Sequence, residues 1–157
     1  SRRICGRPHG IRRMTLEIRK AIGPNNWVSE GDVVARREAM QDLFFDHPLC
    51  PAQTEEEWPE DRQLFSEMVV LDGARLVGTA MLVLDPERED IQLRIFGVGL
   101  VDDYRSDFIV TALEEQLIKD SYLDDSIPFI EGADGRLITN PSADIEGIPL
   151  RPRRLAA

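Results

Sequence analysis

The sequence has few of the residues that build metal centres and disulfide frameworks. Its 157 residues include two cysteines and two histidines, which fall into two pairs, Cys5 with His9 and His47 with Cys50. A tetrahedral zinc site made from all four is one interpretation, but their spacing differs from the usual Cys-x-x-Cys knuckle. We therefore expect no metal site. Two cysteines in a chain of this size do not make a disulfide framework, which favours an intracellular, reducing compartment.

Long apolar runs are also lacking. The longest one, residues 76–84, has the length of a strand and is well short of the roughly 18 residues that cross a bilayer, so no membrane span is predicted. The sequence contains no P-loop, no dinucleotide-binding fingerprint and no recognisable Ser/His/Asp arrangement. We accordingly assign no catalytic residue from motifs of these kinds.

Positive charge is scarce except at the two ends. The chain has a net charge of −10, yet residues 1–13 contain five arginines, residues 151–157 contain three, and neither segment contains an acid. Setting those eight charges aside leaves −18 for residues 14–150. Because such a surface repels phosphate, nucleic acid is not expected as a partner. The pattern predicts one domain over 14–150, between a basic N-terminal extension and a basic C-terminal tail.

The arginine-rich start has three interpretations. It is an artificial leader, the remnant of an organelle transit sequence, or a functional arm. A transit remnant would place the protein in the matrix of a mitochondrion or plastid. A functional arm would bind other protein chains, and we expect such contacts at both basic termini.

Hydrophobic periodicity predicts an alternation of strands and helices. The expected elements are a strand over 14–22, a helix from a capping box at Ser29–Asp32 to about Phe45, a hairpin of 65–71 and 75–84, a strand over 91–100, a helix over 105–119 and a small hairpin of 127–131 and 136–139. This order predicts an α+β fold with a mixed, mostly antiparallel central sheet and flanking helices.

Within these elements, the apolar spacing predicts which side chains are buried. The first strand should bury Leu16 and Ile18, and the last helix should bury residues that recur every four positions, namely Ile109, Leu113 and Leu117. The first helix should bury Val33, Met40 and Phe44 and expose Arg36, Arg37 and Glu38. Two glycines in the strand over 91–100, Gly97 and Gly99, indicate a bulge or close packing.

The segment Leu100-Val-Asp-Asp-Tyr-Arg-Ser-Asp-Phe-Ile-Val-Thr-Ala-Leu113 resembles the acyl-CoA-binding motif of the GNAT-type N-acetyltransferases. In that family a strand is followed by Val-x-Pro-x-Tyr-Arg-Gly-x-Gly-x-Gly-x-x-Leu, whose backbone amides grip the pyrophosphate of coenzyme A. Two further segments, Ile18-Arg-Lys-Ala21 and Val69 to Ala80, resemble the family's first strand and its next hairpin. The resemblance covers roughly residues 14–120 and implies a GNAT-like fold.

The segment departs from the family at its glycines. Ser106, Phe108 and Val110 stand at the three glycine positions, and an aspartate stands where proline is usual. Glycines in phosphate loops let a ligand approach the backbone closely, so bulkier residues should weaken that grip. If coenzyme A is nevertheless bound, the resemblance implies contacts with Leu100, Arg105, Ser106, Phe108 and Val110.

Three functional hypotheses follow. The first is a catalytically degenerate GNAT-like domain, a pseudoenzyme that serves as a structural or accessory subunit of a larger assembly and needs no cofactor. The alternative is a divergent N-acetyltransferase that uses acetyl-CoA, held by Arg105 and Ser106, to modify a small amine or a protein amine. The third is an acidic binding module without an acyltransferase ancestry.

Overall fold

The computed structural model describes residues 2–6, 14–21, 33–59, 64–84, 93–121, 127 and 129–140. Among them, seven strands form one sheet in the order in which they occur along the chain. The strands are β1 (Arg2–Gly6), β2 (Met14–Lys20), β3 (Leu64–Asp72), β4 (Arg75–Leu84), β5 (Leu93–Leu100), β6 (Phe129–Glu131) and β7 (Leu137–Thr139). The helices of these ranges are α1 (Val33–Asp46) and α2 (Asp107–Ser121), with short 3₁₀ turns at Pro51–Glu55 and Asp102–Tyr104.

Neighbouring strands are antiparallel except for β5 and β6, which are parallel. The predicted α+β class with a mixed, mostly antiparallel sheet is therefore confirmed. The central hairpin closes through Gly73, whose φ of +64° is a conformation that glycine adopts without strain. The small second hairpin also forms, with shorter strands than the sequence indicates.

The sheet is covered by one helix on each face, which explains why its middle strands are buried on both sides. Alternate residues of β3 to β5 pack with Ile109, Leu113 and Leu117 of α2 in the larger core cluster. The residues of β3 to β5 that point to the opposite face pack with Met40 and Phe44 of α1 in a smaller cluster. The burial predicted for these five helical residues is confirmed.

One assignment on α1 is wrong. The sequence pattern placed Arg36 on the solvent side, but its side chain is only 1% exposed. The reason is geometric, because Arg36 precedes Met40 by four residues and so lies on the same buried face. Glu38 is exposed as predicted, whereas Arg37 is half-buried because its guanidinium pairs with Glu67 of β3. Val33 belongs to α1, although its side chain lies outside the described part of the structure, as do the capping box and the tail over 151–157.

Both glycine interpretations for β5 are confirmed. Three residues of β4, Thr79 to Met81, lie opposite four residues of β5, Phe96 to Gly99, so β5 carries a bulge there. Gly97 lies in the bulge with a φ of +67°. Gly99 lies under α1, where an added Cβ would come within 2.9 Å of the Phe44 Cα atom.

We predict that Gly99→Ala lowers the free energy of unfolding by about 1–3 kcal/mol, because the methyl group meets helix backbone that cannot rotate away. Gly73→Asn is the matched control. An added Cβ there meets nothing within 4 Å, and asparagine tolerates the left-handed conformation. Chemical denaturation of both variants measures the difference. Equal stability of Gly99→Ala and the original chain would contradict the close packing of α1 on β5.

Candidate functional site

The candidate site lies where β5 leaves the sheet and leads into α2. Residues 101–106 connect the two elements and contain the 3₁₀ turn Asp102–Tyr104. The helix begins two residues later than predicted, because Ser106 caps it and accepts a hydrogen bond from the Ile109 amide at 3.2 Å. This geometry fixes the first turn of α2 beside the end of β5.

On the side away from β4, β5 pairs with β6 only at Leu93 and Arg94. Beyond that point the outer edge of β5 presents four polar backbone groups, which we call the β5 edge: Ile95 O, Gly97 N–H, Val98 O and Leu100 N–H. An open strand edge of this kind is where an extended ligand or another strand binds. Whether these four groups already have hydrogen-bond partners within the chain therefore decides whether a ligand can pair with them.

The segment 47–53, which follows α1, occupies the β5 edge. The Leu49 amide donates to Val98 O at 2.8 Å, and the Leu100 amide donates to His47 O at 3.1 Å, which makes an antiparallel bridge between Pro48 and Gly99. The chain thus supplies its own short strand at the place where a ligand would pair.

Gln53 satisfies the remaining two groups of the edge. Its side-chain Oε1 accepts from the Gly97 amide at 3.0 Å, and its Nε2 donates to Ile95 O at 3.3 Å. The side chain is 8% exposed. Sequence analysis missed this residue, because it lies in a proline- and glutamate-rich stretch that reads as a solvated loop. It lies two residues before the run Glu55–Glu57, and no pattern of the neighbouring residues marks it as buried.

Arg105 holds the segment 47–53 in place. Its Nη2 donates to Pro48 O at 2.9 Å, and its Nε donates to Leu100 O at 3.2 Å. Asp102 lies 3.6 Å from the same guanidinium. The Nε and Nη2 donors are thus engaged within the chain, and Arg105 acts here as a clamp between β5 and the segment.

The other residues predicted to contact coenzyme A differ in how far they are buried. Leu100 is buried in the core, and Val110 packs against that core. Phe108 is 60% exposed and lies on the surface of the first helical turn. The structure thus gathers Leu100, Arg105 and Ser106 around the turn, while the ring of Phe108 faces solvent.

The charge around the first turn of α2 is negative. Asp102, Asp103 and Asp107 are exposed within six residues, and Arg105 is the cation of that stretch. A helix N-terminus attracts anions through its amides, but three carboxylates against one guanidinium oppose a diphosphate. Tyr104 is directed away from this surface, since its hydroxyl group donates to Asp72 at 2.5 Å.

The proposed metal set is only partly within the described residues. The His47 carbonyl belongs to the β5 edge contacts, and Cys50 is a free thiol. His9 and the side chain of Cys5 lie outside the described part. Within the ranges that the structure covers, no group of three or more His, Cys, Asp or Glu side chains is placed to hold a metal ion. Likewise, no helix in those ranges is long and apolar enough to cross a membrane.

Comparisons with known proteins give a distant likeness. No protein-family model and no curated protein matches the sequence. The chain is similar to the crystal structure of a candidate acetyltransferase from Pyrococcus horikoshii, with 16% identity and a TM-score of 0.41 over 73% of this chain. The matched region is 37% of that protein, so this chain spans well under half of its length.

We predict that Gln53→Met lowers the free energy of unfolding by about 1–3 kcal/mol, because a similar volume is kept while the Gly97 amide and Ile95 carbonyl lose their partner. Amide hydrogen exchange at Gly97 should accelerate in this variant. Glu55→Gln is the control, because Glu55 is exposed in the same 3₁₀ turn. Unchanged exchange at Gly97 in Gln53→Met would contradict the assigned role.

Gln53→Glu should make stability depend on pH. The introduced carboxyl group would be buried beside the carbonyl oxygen of Ile95. Burial and the nearby oxygen both disfavour the charged form, so both raise the pKa of this group in the folded state above its unfolded value. The protonated form can donate to that carbonyl, so the variant should be most stable at low pH. Its stability relative to the original chain should fall as pH rises from about 4 to 8, as urea denaturation at a series of pH values would measure. A constant difference across that range would contradict it.

Proposed function

We propose that this domain is a GNAT-like domain without acetyl-transfer activity that serves as a structural or accessory subunit of a larger assembly. The observation that carries the proposal is the occupied β5 edge. The resemblance of residues 100–113 to an acyl-CoA motif suggests the ancestry. The segment 47–53 lies where a ligand following that strand would have to pair.

The energetic argument uses the hydrogen bonds that such a ligand must displace. Two backbone bonds of the segment, two bonds of Gln53 and the bond of Arg105 to Pro48 O hold the edge closed. At about 0.5–1.5 kcal/mol each, the five together represent roughly 2.5–7.5 kcal/mol. This range is similar to the whole binding free energy of a ligand with a dissociation constant between about 1 mM and 1 μM. A ligand that opened this edge would therefore bind weakly.

The first turn of α2 supports the same proposal. Ser106 uses its hydroxyl group as the helix cap, and Arg105 is committed to the clamp. The carboxylates of Asp102, Asp103 and Asp107 add repulsion toward a diphosphate. In addition, β5 contains no acidic residue that could act as a general base. Its polar side chain, Arg94, is paired with Glu56.

We expect acetyl-CoA at millimolar concentration to leave the unfolding midpoint of the protein unchanged. A ligand that binds the folded state raises the midpoint progressively with its concentration. Differential scanning fluorimetry with acetyl-CoA, and with sodium chloride at equal ionic strength as control, makes the measurement. A midpoint that rises with acetyl-CoA concentration and not with salt would favour the alternative, a divergent N-acetyltransferase for a small amine or a protein amine.

The accessory role is tested through the basic termini. We expect the full chain, isolated from its own cells at low salt, to elute with other protein chains at a mass well above its own 17.8 kDa. Replacing the arginines of residues 1–13 and 151–157 by glutamine should release it as a small species, because complementary charges steer and hold such contacts. Circular dichroism controls for folding. Elution of the original chain alone, at its own mass, would contradict the proposal.

A further inference from the structure

The buried face of α1 carries one unsatisfied charged group. Arg36 is 1% exposed, and its Nε, Nη1 and Nη2 atoms are all buried without a hydrogen-bond partner. It precedes Met40 and Phe44 by four and eight residues, and both of these pack onto the sheet. The guanidinium therefore belongs to the interface between α1 and the sheet rather than to the solvent.

The carboxylates on this face of the sheet are engaged by other arginines. Glu67 is buried and lies 3.2 Å from the Arg37 guanidinium. Glu17 accepts from Arg19 at 2.9 Å. The register places Glu17 and Arg19 opposite Leu71 and Val69, two residues that face α1. Within the described part of the chain, three arginines thus share this face with two glutamates, and Arg36 is the one whose guanidinium has no hydrogen-bond acceptor.

A guanidinium in this position calls for an anion. A guanidinium group carries a positive charge and has five N–H donors in a planar fork. Leaving a buried donor without a partner is unfavourable, and more so when the group is charged. The natural complement of the fork is a group with two coplanar oxygen atoms, as in a carboxylate or a phosphate.

A cavity that is open to solvent lies beside the same turn of α1; Arg37 lines it, and Arg36 itself does not. Its volume is about 270 Å³, and its walls include Arg37, the next residue of the helix, and Lys20 at the end of β2. Since one water molecule occupies about 30 Å³ in the liquid, the cavity is large enough for a small oxyanion. Glu67 and Asp120 also line it, and the pairing of Glu67 with Arg37 reduces its repulsion toward an entering anion.

We propose that Arg36 is the anchor of a binding site for a small oxyanion, a carboxylate or a phosphate, beneath α1, and that the cavity lined by Lys20 and Arg37 is its entrance. The cavity is lined by residues of β2 and β3, which lie on the other side of β4 from the β5 edge. The site is independent of the proposed accessory function.

The test compares the original chain with Arg36→Met in a buffer that contains neither phosphate nor carboxylate. The unfolding midpoint is followed by differential scanning fluorimetry with increasing sodium phosphate, with sodium acetate, and with sodium chloride at matched ionic strength. We expect phosphate or acetate, but not chloride, to raise the midpoint of the original chain steadily with log concentration. The arm that responds at the lower concentration identifies the source of the oxyanion.

Arg36→Met should abolish this response. Without added anion the variant should be at least as stable as the original chain, because an apolar side chain of similar length replaces an unmet buried charge. Lys119→Met is the matched control, since it removes the same charge from an exposed position and should keep the full response. Repeating the acetyl-CoA titration on Arg36→Met separates phosphate binding at this site from binding at the β5 edge.

Three outcomes would overturn the proposal. The first is an original chain that responds equally to phosphate, acetate and chloride. The second is an Arg36→Met variant that keeps the oxyanion response. The third is a variant that is less stable than the original chain before any anion is added, which would mean that Arg36 is already satisfied within the folded chain. The comparison of phosphate, acetate and chloride on the original chain does not depend on the variant. It therefore still tests the proposal if Arg36→Met fails to fold.

Discussion

The bulge at Gly97 imposes a constraint on which the rest of this structure depends. It separates β5 from the regular register with β4, and β6 pairs with β5 only at its beginning. The polar groups between Ile95 and Leu100 must therefore find partners elsewhere, because buried backbone groups are rarely left unpaired. In this protein they find them in the segment 47–53, which ties the end of α1 to the start of α2 through the sheet.

This solution has a functional consequence. The same strand edge in an open form would suit an extended ligand, since main-chain hydrogen bonds supply affinity without a demanding sequence. Here the segment 47–53 makes these hydrogen bonds, and Arg105 holds the segment in place. A ligand would have to break them first, so its net binding free energy would be small. The α2 N-terminus keeps the geometry that attracts anions, while the surrounding aspartates and the committed Arg105 work against it. At this turn the polar groups that could meet a ligand are thus bonded within the chain.

The two faces of the sheet differ in chemistry. The face under α2 is an apolar core of the ordinary kind, closed at its far end by Glu114, which accepts from the Ala133 amide and from Arg136. The face under α1 mixes an aromatic group of Phe44, Trp58 and Phe96 with buried charge. Buried charges contribute less to stability than apolar groups of the same size, so we expect packing on the α1 face to stabilise the fold less than packing on the α2 face.

Much of the fold could be predicted from the sequence by itself. Alternating or four-residue apolar spacing identified the strands, the hairpin at Gly73 and the buried stripe of α2, because these patterns follow from local backbone geometry. The two glycines of β5 indicated a bulge and a close contact for the same reason. Local sequence also named the turn before α2 as the candidate site, with Arg105 and Ser106 beside it.

Tertiary structure alone decided what those residues do. Gln53 bonds to Gly97, 44 positions away in the sequence, and Arg105 bonds to Pro48, 57 positions away. Residue patterns do not predict contacts between positions so far apart in the sequence. The burial of Arg36 was missed for a related reason, since charge suggested solvent while helical spacing required the core. The sequence determined which elements form, because that depends on neighbours along the chain. Which polar groups meet, and so whether the β5 edge is open, depends on partners that only the folded chain brings together.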